Sequence, residues 1–167
     1  MKSKTNLEYT DRFISSILNE TKSIAMIGLS SSWNRPSYFV AKYLIDRGYT
    51  IYPINPKESG KKILGQKVYS NIKEIKDKID MVDVFRKSSD IDKISDDIIT
   101  SNPKFIWLQI GVINKKLANK AANKNILIVM NRCPKIEYSR LSGELGWGGI
   151  NSGNIINKRR IIKPIIN

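Results

Sequence analysis

The feature that most restricts how this chain can fold is a rhythm of five short apolar runs, at residues 24–27, 49–54, 81–85, 104–110 and 126–130. Each is too short for a helix, and each stops at a polar or glycine-containing turn. Between them lie amphipathic stretches of helical period. Residues 9–20 place Phe13, Ile14, Ile17 and Leu18 on one face, with Thr10 or Asp11 as cap. Residues 37–47 are expected to turn Phe39, Val40, Tyr43 and Leu44 inward and to stop at Gly48. A short helix through Ile79 follows Ser70 or Asn71, another begins at Ser88 or Ser89 with Ile91, Ile94 and Ile98 inward, and Asn114 caps one through Lys124. Strands alternating with helices predict an α/β fold: a doubly wound, parallel five-stranded sheet with helices on both faces.

In such a sheet a ligand lies outside the carboxyl ends of the strands. Collecting those ends gives Gly28 to Arg35, Asn55 with Pro56 and Lys57, Phe85 with Arg86, Gln109 with Ile110 and Gly111 up to Val112, and Asn131 to Pro134, which includes Arg132 and Cys133. The first turn, G28-L-S-S-S-W-N-R-P-S37, supplies Ser30, Ser31, Ser32 and Ser37 as hydroxyl groups and Arg35 beside a helix start at Pro36. Unpaired amides and the positive end of a helix dipole make that turn a phosphate site. Four of the five strand ends carry a cation.

A dinucleotide fingerprint requires two further glycines after Gly28, and Ser30 and Trp33 stand in their places. The end of the second strand offers Asn55 and Lys57, with Glu58 further into the turn, so a phosphorylated ribose fits better than a free diol. Residue chemistry leaves two ligands open: coenzyme A, with its 3′-phosphate, and a 2′-phosphorylated nicotinamide cofactor.

The net charge of +14 raises the question of nucleic acid. The lysines are spread along the whole chain, and no helix-turn-helix, zinc or aromatic RNA-binding signature accompanies them, so nucleic acid is not expected as a partner. One cysteine excludes an intrachain disulfide, and no stretch has the length of a membrane span; a cytoplasmic protein without membrane contact is expected.

The segments G28-L-S-S-S-W-N-R-P-S-Y, V40-A-K-Y-L, Y52-P-I-N-P-K57, I63-L-G-Q-K-V-Y, D83-V-F-R86, W107-L-Q-I-G-V112 and V129-M-N-R-C-P-K-I-E137 together resemble the small bacterial and archaeal CoA-binding proteins. These are related to the CoA-binding domain of the succinyl-CoA synthetase alpha subunit. The resemblance covers about residues 23–137 and implies a Rossmann-like domain that binds coenzyme A or an acyl-CoA. It implies that Gly28, Ser30, Ser31, Ser32 and Arg35 hold the pyrophosphate and that Lys57 holds the ribose phosphate. The turn from Gln109 to Gly111 would meet the nucleotide end or the start of the pantetheine arm.

Ligases of that type pass a phosphoryl group through a histidine, and this chain has none; it also lacks a Walker loop and a C-x-x-C pair. The expectation is a CoA-binding module with no catalytic residue and no metal site. The alternatives are a CoA-binding subunit of an acyl-CoA ligase or acyltransferase, and an NADP-binding oxidoreductase. Cys133 is expected at the exit of the last strand, either as a small buried hydrophobe or within reach of a bound thiol, Trp107 in the core, and Glu137 in an exposed pair with Arg132. Residues 1–141 are expected to form the domain. The glycine-rich segment 142–167 would belong to it or contact a partner subunit or a second copy.

Overall fold

The structure is a computed structural model describing residues 7–143. Its central sheet has β1 (Ser23–Ile27), β2 (Thr50–Ile54), β5 (Met81–Val84), β6 (Phe105–Leu108) and β7 (Leu127–Val129), all parallel, in the order β2-β1-β5-β6-β7. Strand order therefore reverses direction at the β1/β5 boundary, which is where a doubly wound sheet opens a crevice. A two-residue-per-strand hairpin, β3 (Lys62–Ile63) and β4 (Gln66–Lys67), closes the excursion after β2 through Leu64 and Gly65. Both turn residues have positive φ, as a tight hairpin turn demands.

Alternation along the strands divides the interior in two. One layer joins Ile24, Met26, Met81, Trp107 and Val129 to α1 (Asp11–Glu20), α2 (Pro36–Asp46) and α5 (Pro134–Leu141). The other joins Ala25, Ile27, Val82, Val84, Ile106 and Leu108 to α3 (Ser88–Thr100) and α4 (Lys115–Ala122). Helices thus cover both faces, and the Rossmann-like α/β fold expected from the sequence is the one found. Thr10 caps α1 through the Phe13 amide at 3.2 Å, and Asn114 caps α4 through the Leu117 amide at 2.8 Å. Trp107 is fully buried, with its indole N–H donating to the Arg132 carbonyl at 2.8 Å, which agrees with its expected place in the core.

Three local expectations change. The helix expected up to Ile79 is a single 3-10 turn, Ile72–Glu74. The chain turns extended at Ile75, and beyond it Asp77 accepts a hydrogen bond from the Tyr52 hydroxyl at 2.9 Å, a tertiary contact that competes with continued helix. Phe39, expected inward, is exposed, because the buried stripe of α2 is Ser37, Val40, Ala41 and Leu44 and Phe39 falls outside that arc. The fourth strand ends at Leu108, leaving Gln109 and Ile110 in the turn. Helix α5 has no counterpart in the sequence reading, which ended its regular structure at the N-R-C-P turn. The segment expected as a tail or partner contact lies outside the described residues from 144 onward.

Candidate functional site

Where β1 leaves the sheet, Gly28 adopts φ +89° and its amide donates to the Ile54 carbonyl at 2.8 Å. A Cβ at this position would meet the Phe85 carbonyl oxygen at 2.4 Å and the Arg86 Nε at 3.3 Å. Glycine here lets the turn after β1 lie directly on the turn after β5, with the Arg86 side chain alongside. The following loop is held by its own polar groups. The Ser30 amide donates to Ser37 Oγ at 3.2 Å and the Ser32 amide donates to Ser30 Oγ at 3.2 Å. Arg35 caps α2 by position but makes no side-chain cap bond, so its guanidinium is not spent on the helix end.

At the end of β2, Asn55 ties the two loops together: its Nδ2 donates to the Leu29 carbonyl at 3.0 Å and its Oδ1 accepts from the Lys57 amide at 3.1 Å. Glu58 accepts the Ser31 amide at 3.1 Å and Asn55 Nδ2 at 3.3 Å. The bond from Ser31 holds its carboxyl below the usual carboxylate range. Glu58 therefore lies closer to the first loop than its place in the turn indicated, and it serves as a strut between the loops.

These strand ends enclose a cleft of about 850 Å³. Of the residues expected at the site, Gly28, Ser30, Arg35, Ser37, Asn55, Lys57, Phe85, Arg86, Gln109, Ile110 and Cys133 line it. Ser31, Ser32, Pro56, Gly111 and Arg132 do not. Pro56 faces a separate small pocket, and the Gly111 amide is occupied by Asn131 Oδ1 at 2.8 Å. Pro36, Val40, Glu58, Lys87, Val112 and Ile136 complete the wall. Ile136 was not legible because α5 was not; the signal available was Pro134, a residue that favours the first helical position. Arg35, Lys57, Arg86 and Lys87 make no ion pair among the described residues, whereas the one acid on the wall, Glu58, is engaged by the loop. A cleft with four uncompensated cations suits a ligand with several phosphate charges.

Beneath the cleft lies a second chemical feature. Asp83, in the middle of β5, stands in register between Met26 and Trp107 and is fully buried. Gln109 Nε2 donates to its Oδ1, while Oδ2 has no hydrogen-bond partner. Burial pushes this carboxyl up to about 8, against the opposing effects of Gln109 and the Val84 amide. With one Gln109 Nε2 hydrogen committed to Asp83, its carbonyl oxygen and its second amide hydrogen are left for other partners.

Cys133 is the N-terminal flanking residue of α5 and half-buried on the cleft wall. Burial pushes its thiol up, bonds from the Ile136 and Lys135 amides act in the other direction, and Asp83 adds to the rise. The neighbouring Arg132 guanidinium is engaged elsewhere, donating to the Asn131 carbonyl at 3.0 Å and the Leu7 carbonyl at 3.4 Å. Its partner Glu137 is buried, not exposed, with Oε1 3.9 Å from Arg132 Nε and Oε2 2.7 Å from Arg140 Nη2.

The fold that carries this cleft is shared by known proteins. The family described as CoA binding domain matches residues 22–139. The chain belongs to that family. The uncharacterized protein YneT of Bacillus subtilis is 33% identical over 126 residues, spanning 75% of this chain and 92% of YneT. A hypothetical protein of Pyrococcus horikoshii OT3 has the same fold, with a TM-score of 0.75, 35% identity, and coverage of 84% of this chain and 97% of that one. The ADP-forming acetate–CoA ligase of Methanocaldococcus jannaschii is 28% identical over an alignment of 171 residues that takes in 87% of this chain but 23% of the ligase. The CoA-binding domain described here thus corresponds to a small part of that larger protein. No helix among its described residues is long and apolar enough to cross a membrane, and no cluster of metal-ligating side chains occurs among them.

In this CoA-binding domain the placement of Cys133 leads to a prediction. On incubation with CoA disulfide, a Cys133 thiolate attacks one sulfur, the S–S bond breaks, one CoA leaves as its thiolate, and the protein gains one CoA by mass. Because the thiol is held above its usual value, the rate should keep rising with pH beyond the range where an ordinary cysteine levels off. Intact-mass kinetics at several pH values check this; an unchanged mass under alkaline conditions would leave Cys133 a packing residue.

Proposed function

We propose that the protein binds coenzyme A across the carboxyl edge of its sheet and has no catalytic activity of its own. The observation that carries this reading is a single cleft with uncompensated cations over β1, β2 and β5 and a cysteine at its far end, near β7. The 3′-phosphate ribose lies by Lys57, the pyrophosphate by Ser30, Ser37, Arg35 and Arg86, and the pantetheine arm runs past Gln109 and Ile110 toward Cys133. Membership of the family supports the ligand, and the absence of histidine supports a binding role. A cytoplasmic location fits the single cysteine.

Thermal denaturation tests the proposal. A ligand at a hundred times its dissociation constant stabilises the native state by about 2.7 kcal/mol. In a domain of this size that is a shift of roughly 5 to 11 °C. CoA should give it, and NADP should not. Dephospho-CoA should shift less, and Lys57→Ala should remove most of the difference between the two CoA ligands. Equal shifts with NADP and CoA, or steady turnover of CoA with ATP and a carboxylic acid, would overturn the reading. The similarity to part of a ligase supports a second reading, a CoA-binding subunit that acts with a partner. Its test is a pull-down that returns a larger, ATP-binding subunit.

A further inference from the structure

A second chamber, of about 560 Å³, opens beyond the thiol end of the cleft. The two spaces share three wall residues, Ile110, Cys133 and Ile136, and both isoleucines are large exposed apolar side chains. Past them the lining becomes polar, with Arg132, Arg140 and Glu137. The charges there are unequally committed. Arg140 is closed by two short ion pairs, 2.8 Å to Asp11 and 2.7 Å to Glu137. Arg132 has a long contact to Glu137, at 3.9 Å, lies over the Tyr9 ring at 5.7 Å from its centroid, and gives two of its five N–H donors to backbone carbonyls. It therefore faces the chamber with donors to spare.

We infer that this chamber receives the acyl group of a CoA thioester whose acyl chain ends in a carboxylate. The inference rests on the CoA reading of the main cleft. The thioester sulfur lies at Cys133, the methylenes cross Ile110 and Ile136, and the carboxylate meets the Arg132 guanidinium, whose planar fork matches two carboxylate oxygens. A neutral acyl chain of the same length covers the isoleucines equally but leaves the guanidinium without a partner.

The test is titration calorimetry with CoA and with acyl-CoA pairs of equal chain length: malonyl against propionyl, succinyl against butyryl, glutaryl against valeryl. In at least one pair the carboxylate-ended thioester should bind about tenfold tighter, the worth of one partly solvated charge-assisted contact. Arg132→Gln should bring the ratio of the two dissociation constants within each pair close to one, and Arg132→Lys should keep part of the preference. Because the ratio is taken within each variant, a general loss of CoA affinity does not affect it. The indole of Trp107 holds the Arg132 carbonyl, a contact that side-chain substitution leaves in place. If CoA itself does not bind, the reading of the main cleft fails. If CoA binds but no pair shows a preference, or the preference survives in Arg132→Gln, the acyl chamber is overturned while the CoA site stands.

Discussion

Between about pH 5 and pH 8, the stability of an Asp83→Asn variant relative to the natural chain is expected to rise by about 4 kcal/mol. Burial raises the Asp83 carboxyl from its ordinary 3.8 to about 8. In that window the native state holds a proton that the unfolded chain has released, so native stability falls as pH rises. Each pH unit costs about 1.4 kcal/mol, and the loss is complete only above the folded value. The asparagine cannot ionise and carries no such slope. Its second amide hydrogen meets the place where Asp83 Oδ2 has no partner, a constant cost of about 1 to 3 kcal/mol. The curves should therefore cross, with the variant weaker near pH 5 and stronger above pH 8. Taking the difference isolates Asp83 from carboxylates such as Asp11 and Glu58, whose lowered values give the opposite slope. Urea midpoints across the range measure it. A difference that stays flat would mean that Asp83 is ionised throughout and compensated.

Gly28→Ala should cost about 3 kcal/mol, lowering the melting point by roughly 6 to 12 °C. Two effects combine there: a backbone conformation at φ +89° that side-chain-bearing residues rarely adopt, and a Cβ placed 2.4 Å from a backbone oxygen of the neighbouring strand end. Neither β1 nor β5 can yield without disturbing the sheet. Gly60→Ala supplies the control, since φ is +82° and nothing lies within 4 Å of the added carbon. It should cost only the conformational part, about 1 kcal/mol. Equal losses at the two positions would show that the approach of β1 to Phe85 is not tight. CoA affinity should fall in Gly28→Ala alone.

The sheet and most of its carboxyl edge were legible because parallel strands buried on both faces read as near-continuous apolar runs, and because Gly28, Asn55 and Lys57 follow such runs directly. What escaped was set by contacts between distant segments. Asp83 in M-V-D-V reads like a polar residue within a strand, and only the covering by α1, α2 and α5 turns it into an isolated buried acid. Glu58 looked too far into its turn, until Ser31 and Asn55 drew it back. Arg132 and Cys133 are neighbours in sequence, yet one faces the second chamber alone and the other stands between the two spaces. Helix α5 has a weak amphipathic pattern, with Glu137, Tyr138 and Leu141 all buried, so periodicity did not announce it.

The strand order also has a consequence for how a ligand leaves. The two ends of the cleft rest on opposite margins of the sheet, and those margins differ in strength. β2 pairs with β1 along all five residues, from Ser23 with Thr50 to Ile27 with Ile54. β7 is joined to β6 at three positions only, and its Leu127 is about half exposed. Fraying of the sheet is therefore expected first at the β7 margin, where the Asn131 to Cys133 turn is kept in place by the Trp107 indole at the Arg132 carbonyl and the Gly111 amide at Asn131 Oδ1, both 2.8 Å, while the loops around Gly28 and Lys57 keep their shape. A ligand lying across this edge would come away peeled, thiol end first, with its phosphates still held.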